Sequence, residues 1–446
     1  MRKSLLFFTF LGAMTALPAI AQEVNVETDV VEAAVGVSAE VTYVFNTLLF
    51  LIGAFLVMWM AAGFAMLEAG LVRSKNVTTQ LFKNIGVFGI AGLMYWILGY
   101  NLMYPGDWSI NGLLGELFSP KSIDPVAAGV VDDGYSASSD FIFQLMFCAT
   151  TASIVSGTVA ERIRVWPFLI FTVVLTGVIY PIEASWQWGG GWLSEMGFSD
   201  FAGSTLVHAT GGFAALAGAI VLGARHGKYR ADGSVHAMPG SNLALATLGT
   251  FILWLGWFGF NGASQLAIAS VNDAADVGRV FVNTHMAASA GVVVAMICSQ
   301  LKYGKADLTM VLNGALAGLV SITAEPLFPS IFGAVLIGGV GGAIAVFTVP
   351  LLDKFRIDDV VGAIPVHLIA GIWGTLIVPA SNPDTSYVTQ LVGVVAIGGF
   401  VFIASFVVWS ILKATMGIRA SQEAEINGLD ISEMGMEAYP DFVQAK

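Results

Sequence analysis

The sequence predicts an all-α membrane protein with eleven transmembrane helices, built as an inverted repeat of five plus five helices and a final helix. Hydrophobic residues make up 56% of the 446 residues and charged residues only 11%, whereas an average soluble protein carries roughly 25% charged residues. The apolar residues fall in runs of about 20, long enough to cross a bilayer. Glycine is abundant, at 51 residues, which is typical of closely packed membrane helices.

The same composition argues against several other classes of protein. A net charge of −12 opposes binding to nucleic acid, whose phosphates attract basic surfaces. Cys148 and Cys298 lie in apolar runs, so we predict two small buried side chains rather than a disulfide framework. The sequence contains no Walker lysine, GxSxG elbow or HExxH helix. We therefore expect neither an enzyme nor a bound cofactor.

Residues 1–21 have the features of a cleaved signal peptide. Arg2 and Lys3 precede an apolar stretch, and Ala19-Ile20-Ala21 forms a small-residue cleavage pattern. The alternative is a short first membrane helix. Residues 22–41 are acidic and contain no Lys or Arg, as expected of a segment translocated to the outside. The signal indicates a multi-pass protein of a bacterial inner (plasma) membrane.

The membrane domain is predicted to cover residues 42–413, and residues 414–446 are predicted to form a cytoplasmic tail. Eleven apolar runs within this domain have the length of a transmembrane helix. They lie near residues 42–68, 84–104, 138–160, 165–186, 203–224, 241–262, 280–300, 307–324, 328–351, 360–380 and 389–413.

The distribution of basic residues predicts the orientation of these helices. Cytoplasmic loops of membrane proteins carry an excess of Lys and Arg. With the mature N-terminus outside, 15 of the 17 basic residues that follow the signal peptide fall in inner segments, and only Lys121 and Arg279 fall in outer ones. A missed or added helix would scramble this alternation. The sequence therefore predicts an N-out, C-in topology.

One short pattern occurs twice in the chain. Residues 200–208 read DFAGSTLVH and residues 359–367 read DVVGAIPVH, so both copies share D-x-x-G-x-x-x-V-H. Each copy is followed four residues later by a glycine, Gly212 or Gly371. The copies open the fifth and tenth predicted helices, which run in opposite directions. This is the pattern expected of an inverted-topology repeat, whose binding site lies near the middle of the membrane.

The spacing predicts that His208 and His367 meet at mid-membrane depth. Eight helical residues place each histidine about 12 Å from its aspartate, one measured from the outside and one from the inside. Half of a hydrocarbon core is about 15 Å thick. An ionisable residue inside a membrane is a functional-site hypothesis by default, so we take this pair as the candidate site.

Two other interpretations of the histidine pair remain open. Each histidine could simply be hydrogen-bonded to a neighbouring helix. The pair could instead bind a metal in a membrane enzyme, but a metal site needs three or four ligands, and the sequence has no third ligand at a suitable spacing. His226 and His236 lie in a charged inner loop and His285 lies on another helix. We expect these three histidines to be solvated or structural.

Aromatic residues flanked by glycine end three helices at the predicted outer face. Phe143 and Phe147 lie one turn apart on one side of the third helix. Residues 186–192 read WQWGGGW and close the fourth helix, and residues 256–264 read GWFGFNGAS at the end of the sixth. An interfacial anchoring belt accounts for most of these side chains. Their position over the histidine pair also predicts an aromatic vestibule, which would attract a cation.

These motifs resemble those of the ammonium transporter family (Amt/Mep/Rh). The similar stretches are DFAGSTLVH at 200–208, AERIR at 160–164, GWFGFN at 256–261, and the two aspartates Asp358 and Asp359 ahead of His367. They occur in the family's order between about residue 42 and Tyr439. The resemblance implies a homotrimer, each subunit with its own pore, that takes up ammonium or ammonia, with methylammonium as a further candidate substrate.

The resemblance also implies roles for individual residues. His208 and His367 match the family's twin pore histidines, and Phe147 and Phe260 match its two stacked gate phenylalanines. Asp200 matches a buried aspartate below the outer vestibule. The outer ammonium-recruitment site is matched by three residues: Phe143, Trp188 and Ser264. Trp188 lies twelve residues before Asp200, which makes it a better candidate for the pore than Trp186.

Trp188 and the C-terminal tail favour the Amt branch of the family over the Rh branch. The tail resembles a cytoplasmic coupling segment and implies a PII-type regulator as a partner. Three positions depart from the family pattern: Val360 stands where proline is frequent, and Glu68 and Glu183 are additional carboxylates. We expect Glu68 to pair with Arg73 and Glu183 to be solvated at the outer mouth.

The resemblance implies transport in which ammonium loses its proton before crossing. The cation would be recruited at the outer vestibule, and neutral ammonia would pass the two histidines because a bare ion in an apolar path is very costly. If the proton travels separately, transport is electrogenic; if it does not, the protein is a gas channel. A third hypothesis is an ammonium sensor that reports to a cytoplasmic PII-type partner. The aromatic vestibule argues against urea, which gains little from attraction to aromatic faces.

Overall fold

The computed structural model describes residues 37–115 and 134–440, which are mostly helical. Each of the eleven predicted spans overlaps one helix. In chain order, α1 to α11 cover Ala39–Leu71, Ser74–Met103, Ala137–Thr158, Val165–Ser185, Ser204–Leu222, Leu243–Gln265, Val271–Tyr303, Leu308–Ile322, Ile331–Lys354, Ile364–Ala380 and Tyr387–Thr415. Within the described ranges, nine of these helices are long and apolar enough to cross a membrane, whereas α8 and α10 are apolar but shorter.

The remaining described elements are short. The strands Trp108–Ile110 and Leu114–Gly115 pair antiparallel after α2, and single helices cover Trp192–Glu195 and Gln422–Asn427. From Ser38 onward the described residues form one compact unit. Several predictions lie outside the described residues: the signal peptide, most of the outer segment 22–41, Lys121 and the end of the tail.

The helices that begin the two predicted repeats, and the segments that carry the two histidines, are in contact. The first helix of each predicted repeat packs against its counterpart, so α1 lies along α6. The histidine-bearing segments that open α5 and α10 also contact each other. Both segments form wide turns of the π type, Ser204–Ala209 and Ile364–Ile369, a local geometry that is frequent at functional sites. The last helix, α11, packs against α5.

Glycines allow some of these helices to pack backbone against backbone. A Cβ atom on Gly338 of α9 would overlap the carbonyl group of Ala287 in α7. A Cβ atom on Gly291 of α7 would likewise overlap the carbonyl oxygen of Gly314 in α8. In contrast, Gly278 is exposed on α7 and has no other atom within 4 Å of its Cβ position. Much of the glycine excess therefore serves close helix packing.

Alanine substitutions at two of these glycines are expected to have opposite effects. Gly338→Ala should lower the free energy of unfolding by about 1–3 kcal/mol, because the added methyl group pushes α9 away from α7. The matched control Gly278→Ala should leave stability unchanged or raise it by about 0.5–1 kcal/mol, because alanine favours the helix. Thermal unfolding in detergent would measure both, and equal midpoints for the two variants would contradict the packing account.

Candidate functional site

Asp200 fixes the start of α5 and thereby the position of His208. Its Oδ1 atom accepts the backbone N–H groups of Gly203 and Ser204 at 3.0 and 2.8 Å, and its Oδ2 atom accepts those of Thr205 and Leu206 at 2.8 and 2.9 Å. Four otherwise unpaired N–H groups at a helix start are thus satisfied by one carboxylate. Gly203 has a φ of 101°, which favours glycine at this position.

Asp359 does the same for α10 and His367. Its carboxylate accepts the N–H groups of Gly362 at 3.2 Å and Ile364 at 2.7 Å, and the hydroxyl of Thr158 donates to it at 3.0 Å. Gly362 has a φ of 82°. The repeated D-x-x-G pattern is therefore a carboxylate cap followed by a left-handed turn, used once in each repeat to start a histidine-bearing helix.

The two histidines are in direct contact. The Nδ1 atoms of His208 and His367 are 3.2 Å apart, and the ring centroids are 5.2 Å apart with an interplanar angle of 28°. Both side chains are buried. For this contact to be a hydrogen bond, one Nδ1 atom must carry a proton and the other must accept it. The Nε2 atom of His208 is buried and has no hydrogen-bond partner among the described residues.

The glycines four residues after the histidines let the two helices approach. A Cβ atom on Gly212 would lie 2.7 Å from the backbone nitrogen of Leu368. A Cβ atom on Gly371 would overlap the carbonyl oxygen of Ser204. Only glycine allows α5 and α10 to pack closely at this point, so the whole repeated motif serves the placement of the histidine pair.

Two phenylalanines cover the histidine pair on the side of the predicted outer face. The rings of Phe147 and Phe260 stack at 4.0 Å with an interplanar angle of 27°, and both side chains are buried. Phe260 also stacks on His208 at 5.2 Å. Trp257, one turn before Phe260, stacks on His208 at 4.9 Å, and its indole donates a hydrogen bond to Thr323. No pattern in the sequence predicted that Trp257 would pack against a histidine.

A cavity of about 380 Å³ lies beyond the two phenylalanines, and we call it the vestibule cavity. Three of the predicted residues line it together with Phe147: Trp188, Asp200 and Ser264. The indole N–H of Trp188 donates to the carbonyl oxygen of Asp200, whereas that of Trp186 donates to Leu113. The cavity also has a polar wall that no sequence motif predicted, formed by Tyr104, Tyr135, Asp140, Gln144, Gln187 and Ser199.

Phe143 packs behind Phe147. The side chain is fully buried and is not part of the lining of the vestibule cavity. Its ring packs against those of Phe147 at 4.8 Å and Phe50 at 5.3 Å. The structure therefore places Phe147 at the cavity surface and Phe143 behind it, where it supports the Phe147 ring.

The prediction that Glu68 pairs with Arg73 is wrong. Helix α1 ends at Leu71, so Arg73 leaves the helix and binds Glu161, with its Nη2 atom 2.6 Å from Oε2. Glu68 is buried and accepts hydrogen bonds from Asn84 and Ser156 at 2.7 and 3.1 Å. It lines a small cavity of about 10 Å³ that His367 also lines, and we call this space the inner cavity.

The prediction that Glu183 is solvated is also wrong. Its side chain is fully buried on α4, and neither carboxylate oxygen makes a hydrogen bond with the described residues. The hydroxyl group of Thr210 lies in its neighbourhood and is likewise without a partner. The periodicity of α4 could not reveal this burial, because the helix is apolar on all sides.

The other three histidines lie apart from the pair and are exposed. His226 and His236 contact Gln422 and Arg230 respectively, and His285 packs against Trp254 with ring centroids 5.3 Å apart. Within residues 37–115 and 134–440, no three metal-binding side chains come together.

A network of buried ion pairs closes the end of the bundle that is predicted to face the cytoplasm. Arg225 lies 3.0 Å from Glu161 and 2.8 Å from Asp358. Burial alone would raise the pKa of both acids, but the hydrogen bonds and charges of the neighbouring arginines lower the pKa of Glu161 and of Asp358 below their ordinary values. Both acids are therefore ionised at neutral pH and hold the loops at this end together.

The tail packs against this network. Arg419 forms an ion pair with Glu425, and Ala420 donates its N–H to the carbonyl oxygen of Arg162 at 2.9 Å. The carboxylate of Asp430 accepts the N–H groups of Thr78 and Thr79 at the start of α2. The described part of the tail is thus bound to the ends of the helices rather than extended away from them.

Comparisons with known proteins agree with this architecture. The sequence model of the Ammonium Transporter Family matches residues 48–439. Ammonium transporter Amt2 of Archaeoglobus fulgidus is 42% identical over 425 residues, covering 88% of each chain. An ammonium transporter of Bacillus subtilis is 35% identical over 405 residues, covering 87% of this chain and 96% of its own.

Solved structures of similar proteins share the fold. A protein described as "Sensor Amt Protein" superposes with a TM-score of 0.83 at 34% identity, covering 89% of this chain and 100% of its own. Candida albicans Mep2 superposes with a TM-score of 0.78 at 26% identity, covering 90% and 92%.

Proposed function

The chain belongs to the ammonium transporter family, whose named members are transporters rather than enzymes, and from this premise we propose how it works. It recruits ammonium in the vestibule cavity, removes one proton and conducts ammonia past His208 and His367, while the proton travels separately. The single observation that carries this proposal is the buried Nδ1–Nδ1 contact beneath the stacked phenylalanines.

We place this site in a bacterial inner membrane, with eleven helices in an N-out, C-in topology. The charge distribution along the sequence supports this orientation, and it puts the arginine network and the tail on the cytoplasmic side. Residues 1–21 would be removed as a signal peptide. Helices α8 and α10 are short for a full bilayer, but a pore domain tolerates short helices where their ends are buried in protein. By family resemblance, the protein assembles as a homotrimer.

The side chains that line the vestibule cavity can replace part of the hydration shell of a cation. The faces of Phe147 and Trp188 attract a desolvated cation by about 0.5–2 kcal/mol each. The carboxylate of Asp140, which accepts the Tyr100 hydroxyl at 2.7 Å, lines the same space and adds negative charge. Ser264 supplies a hydroxyl oxygen at the cavity wall. Ammonium fits these groups because it is both a cation and a hydrogen-bond donor.

The stacked phenylalanines make the next step selective. The stacked rings of Phe147 and Phe260 lie between the vestibule cavity and the histidine pair, and a bare ion at mid-membrane costs several kcal/mol. Ammonia carries no charge and avoids this penalty. Ammonium that passes the rings therefore gives up its proton to His208 directly beneath Phe260, and only ammonia continues along the path.

The histidine pair then handles the proton. The Nε2 atom of His208 has no hydrogen-bond partner among the described residues, and the His208 ring stacks on Phe260. A proton accepted there can leave from Nδ1 to His367, because an imidazole that binds a proton on one nitrogen releases one from the other. The pair thus transfers a proton across the middle of the membrane. It also forms a hydrogen bond with ammonia as the molecule passes.

Transport can be tested with purified protein in liposomes given an inward gradient of ammonium. We expect a transient inward current that grows with the ammonium concentration and is absent from protein-free liposomes. Equal concentrations of potassium should give no current, because potassium has no proton to lose. Absence of both ammonium flux and current in correctly folded protein would contradict a transport function.

A second candidate function is ammonium sensing through a cytoplasmic PII-type partner. This function is supported by the tail, which connects the start of α2 to the arginine network. Through these contacts, occupancy of the pore by ammonium could change the surface that the tail offers to a cytoplasmic partner. A similar solved protein is named as a sensor. Binding of a purified PII-type protein that changes with ammonium concentration would favour this function, whereas ammonium-independent binding would favour simple regulation.

A further inference from the structure

We infer that Glu68 is the proton acceptor at the inner end of the pore, where it takes over the proton that His367 delivers. This inference rests on the proposed function with separate proton passage. The histidine pair alone provides no proton acceptor on its inner side, and a proton on His367 still needs a route to the cytoplasm.

Glu68 lies in the right place for this role. It is 1% exposed and lines the inner cavity together with His367, Phe64 and Val366. The volume of this cavity, about 10 Å³, is roughly the space of a single water molecule. One water can therefore bridge the imidazole and the carboxylate, whereas the apolar side chains around it exclude a continuous column of water.

The hydrogen bonds of Glu68 are distributed unevenly between its two oxygens. The Oε2 atom accepts the side chains of Gln80, Asn84 and Ser156. None of the hydrogen bonds made by the described residues reaches Oε1. A Cβ atom on Gly157 would lie 3.1 Å from Oε1, so the glycine keeps the space beside this atom open. Oε2 holds the carboxylate in position, and Oε1 is left to exchange a proton.

Lys83 is a second buried ionisable group close to Glu68. It is buried on α2, where its Nζ atom donates to the carbonyl oxygen of Ser156 at 3.0 Å and lies 4.8 Å from the centre of the Phe168 ring. It forms no ion pair with Glu68, but it is near enough to interact with the carboxylate electrostatically.

The nitrogen atoms of the histidines are arranged for such a transfer. The Nδ1 atoms face each other, which leaves an Nε2 atom at each end of the pair. Among the described residues, the Nε2 atom of His208 is buried and unpaired, whereas the hydrogen bond of His367 is made through Nδ1 and its side chain lines the inner cavity. The order of groups is therefore Nε2 of His208, the two Nδ1 atoms, Nε2 of His367, one water and Oε1 of Glu68.

The transfer balances in atoms and charge. Ammonium gives one proton to the Nε2 atom of His208 and becomes ammonia. The protonated pair passes a proton from Nε2 of His367 through the water to Oε1 of Glu68, leaving neutral imidazoles and a carboxylic acid. Glu68 then releases its proton to water at the inner end. Ammonia crosses separately and is protonated in the cytoplasm, so one positive charge moves for each ammonium.

A purely structural role is the competing explanation, since Glu68 also joins α1, α2 and α3. Glu68→Gln separates the two, because glutamine keeps an oxygen that accepts the three hydrogen bonds but cannot carry the proton. In liposomes with an ammonium gradient, we expect the current of this variant to fall by at least about tenfold. Ammonia should still enter liposomes that contain this variant and take up protons there, so the lumen should become alkaline. In the wild type a proton enters with each ammonia, so the lumen should not become alkaline.

Two further variants complete the test. Glu68→Asp keeps an ionisable group and should retain a measurable current. The pH profile of this current should differ from that of the wild type, because the shorter side chain holds its carboxylate differently relative to Lys83 and His367, the titratable groups that face it. Glu183→Gln removes another buried carboxyl outside this route and should leave the current unchanged.

The possible outcomes distinguish this inference from the proposed function. A wild-type protein without current would defeat the proposed separate passage of the proton. A wild-type current that Glu68→Gln leaves intact, or that Glu183→Gln reduces equally, would overturn the assignment of Glu68 alone. If Glu68→Gln lowered both the thermal stability and the current, a structural role of Glu68 would explain the loss of current and the assignment would be overturned.

Discussion

Replacing both His208 and His367 by leucine is expected to reduce the ammonium-dependent current by at least about tenfold. Leucine fills a similar volume in the buried site but can neither accept nor release a proton. The two Nδ1 atoms are in contact, so the relay works as a unit, and either single substitution should lower the current nearly as much as both together. Current recordings from liposomes that contain each variant would measure this effect.

The control for this experiment is leucine at His285, which is exposed and packs against Trp254 away from the pair. This variant should transport like the wild type. If the double variant kept both its current and its selectivity against potassium, the assignment of the histidines to the pore would be wrong.

The second large effect is expected for Asp200→Asn. The carboxylate accepts four backbone N–H groups at the start of α5, and hydrogen bonds to a charged acceptor contribute about 1.5–3 kcal/mol each. Asparagine presents an NH2 group to two of these donors and has no charge. We expect a loss of at least about 3 kcal/mol in the free energy of unfolding and a transport rate near that of protein-free liposomes, because α5 carries His208.

Asp359→Asn provides an internal control from the other repeat. Asp359 is half-buried, and among the described residues it accepts the N–H groups of Gly362 and Ile364 and the hydroxyl of Thr158. The same substitution should therefore cost less stability than at Asp200, with a smaller decrease in transport. Thermal unfolding in detergent and uptake in liposomes would test this order. A larger loss at Asp359 would show that the carboxylate caps do not determine the stability of the two helices.

The sequence allowed the helices and the histidine pair to be predicted because both depend on local patterns. Apolar runs have the length of a bilayer, and the repeated spacing from aspartate to histidine fixes the depth of each imidazole. The sequence could not explain why aspartate and glycine recur in that motif. The caps and positive φ angles in the structure account for them.

The positions that were predicted wrongly depend on contacts between distant segments. Arg73 follows Glu68 by five residues, but its partner Glu161 is 88 residues away, and no local pattern points to it. Phe143 and Phe147 are equivalent by spacing, so the sequence does not reveal that Phe143 packs against Phe50 while Phe147 lines the cavity. Glu183 lies on a helix without a polar face, so its burial depends on neighbours that periodicity does not identify.

In the proposed mechanism, ammonium is separated into ammonia and a proton. Both cross the membrane in the same transport cycle, but the proton moves along the histidines while ammonia moves through the pore. The most direct test records charge movement and ammonium uptake from the same liposomes containing the wild-type protein. We predict one positive charge for each ammonium nitrogen that enters, with no current when potassium replaces ammonium. Ammonium uptake without any movement of charge would contradict the account and identify the protein as a gas channel.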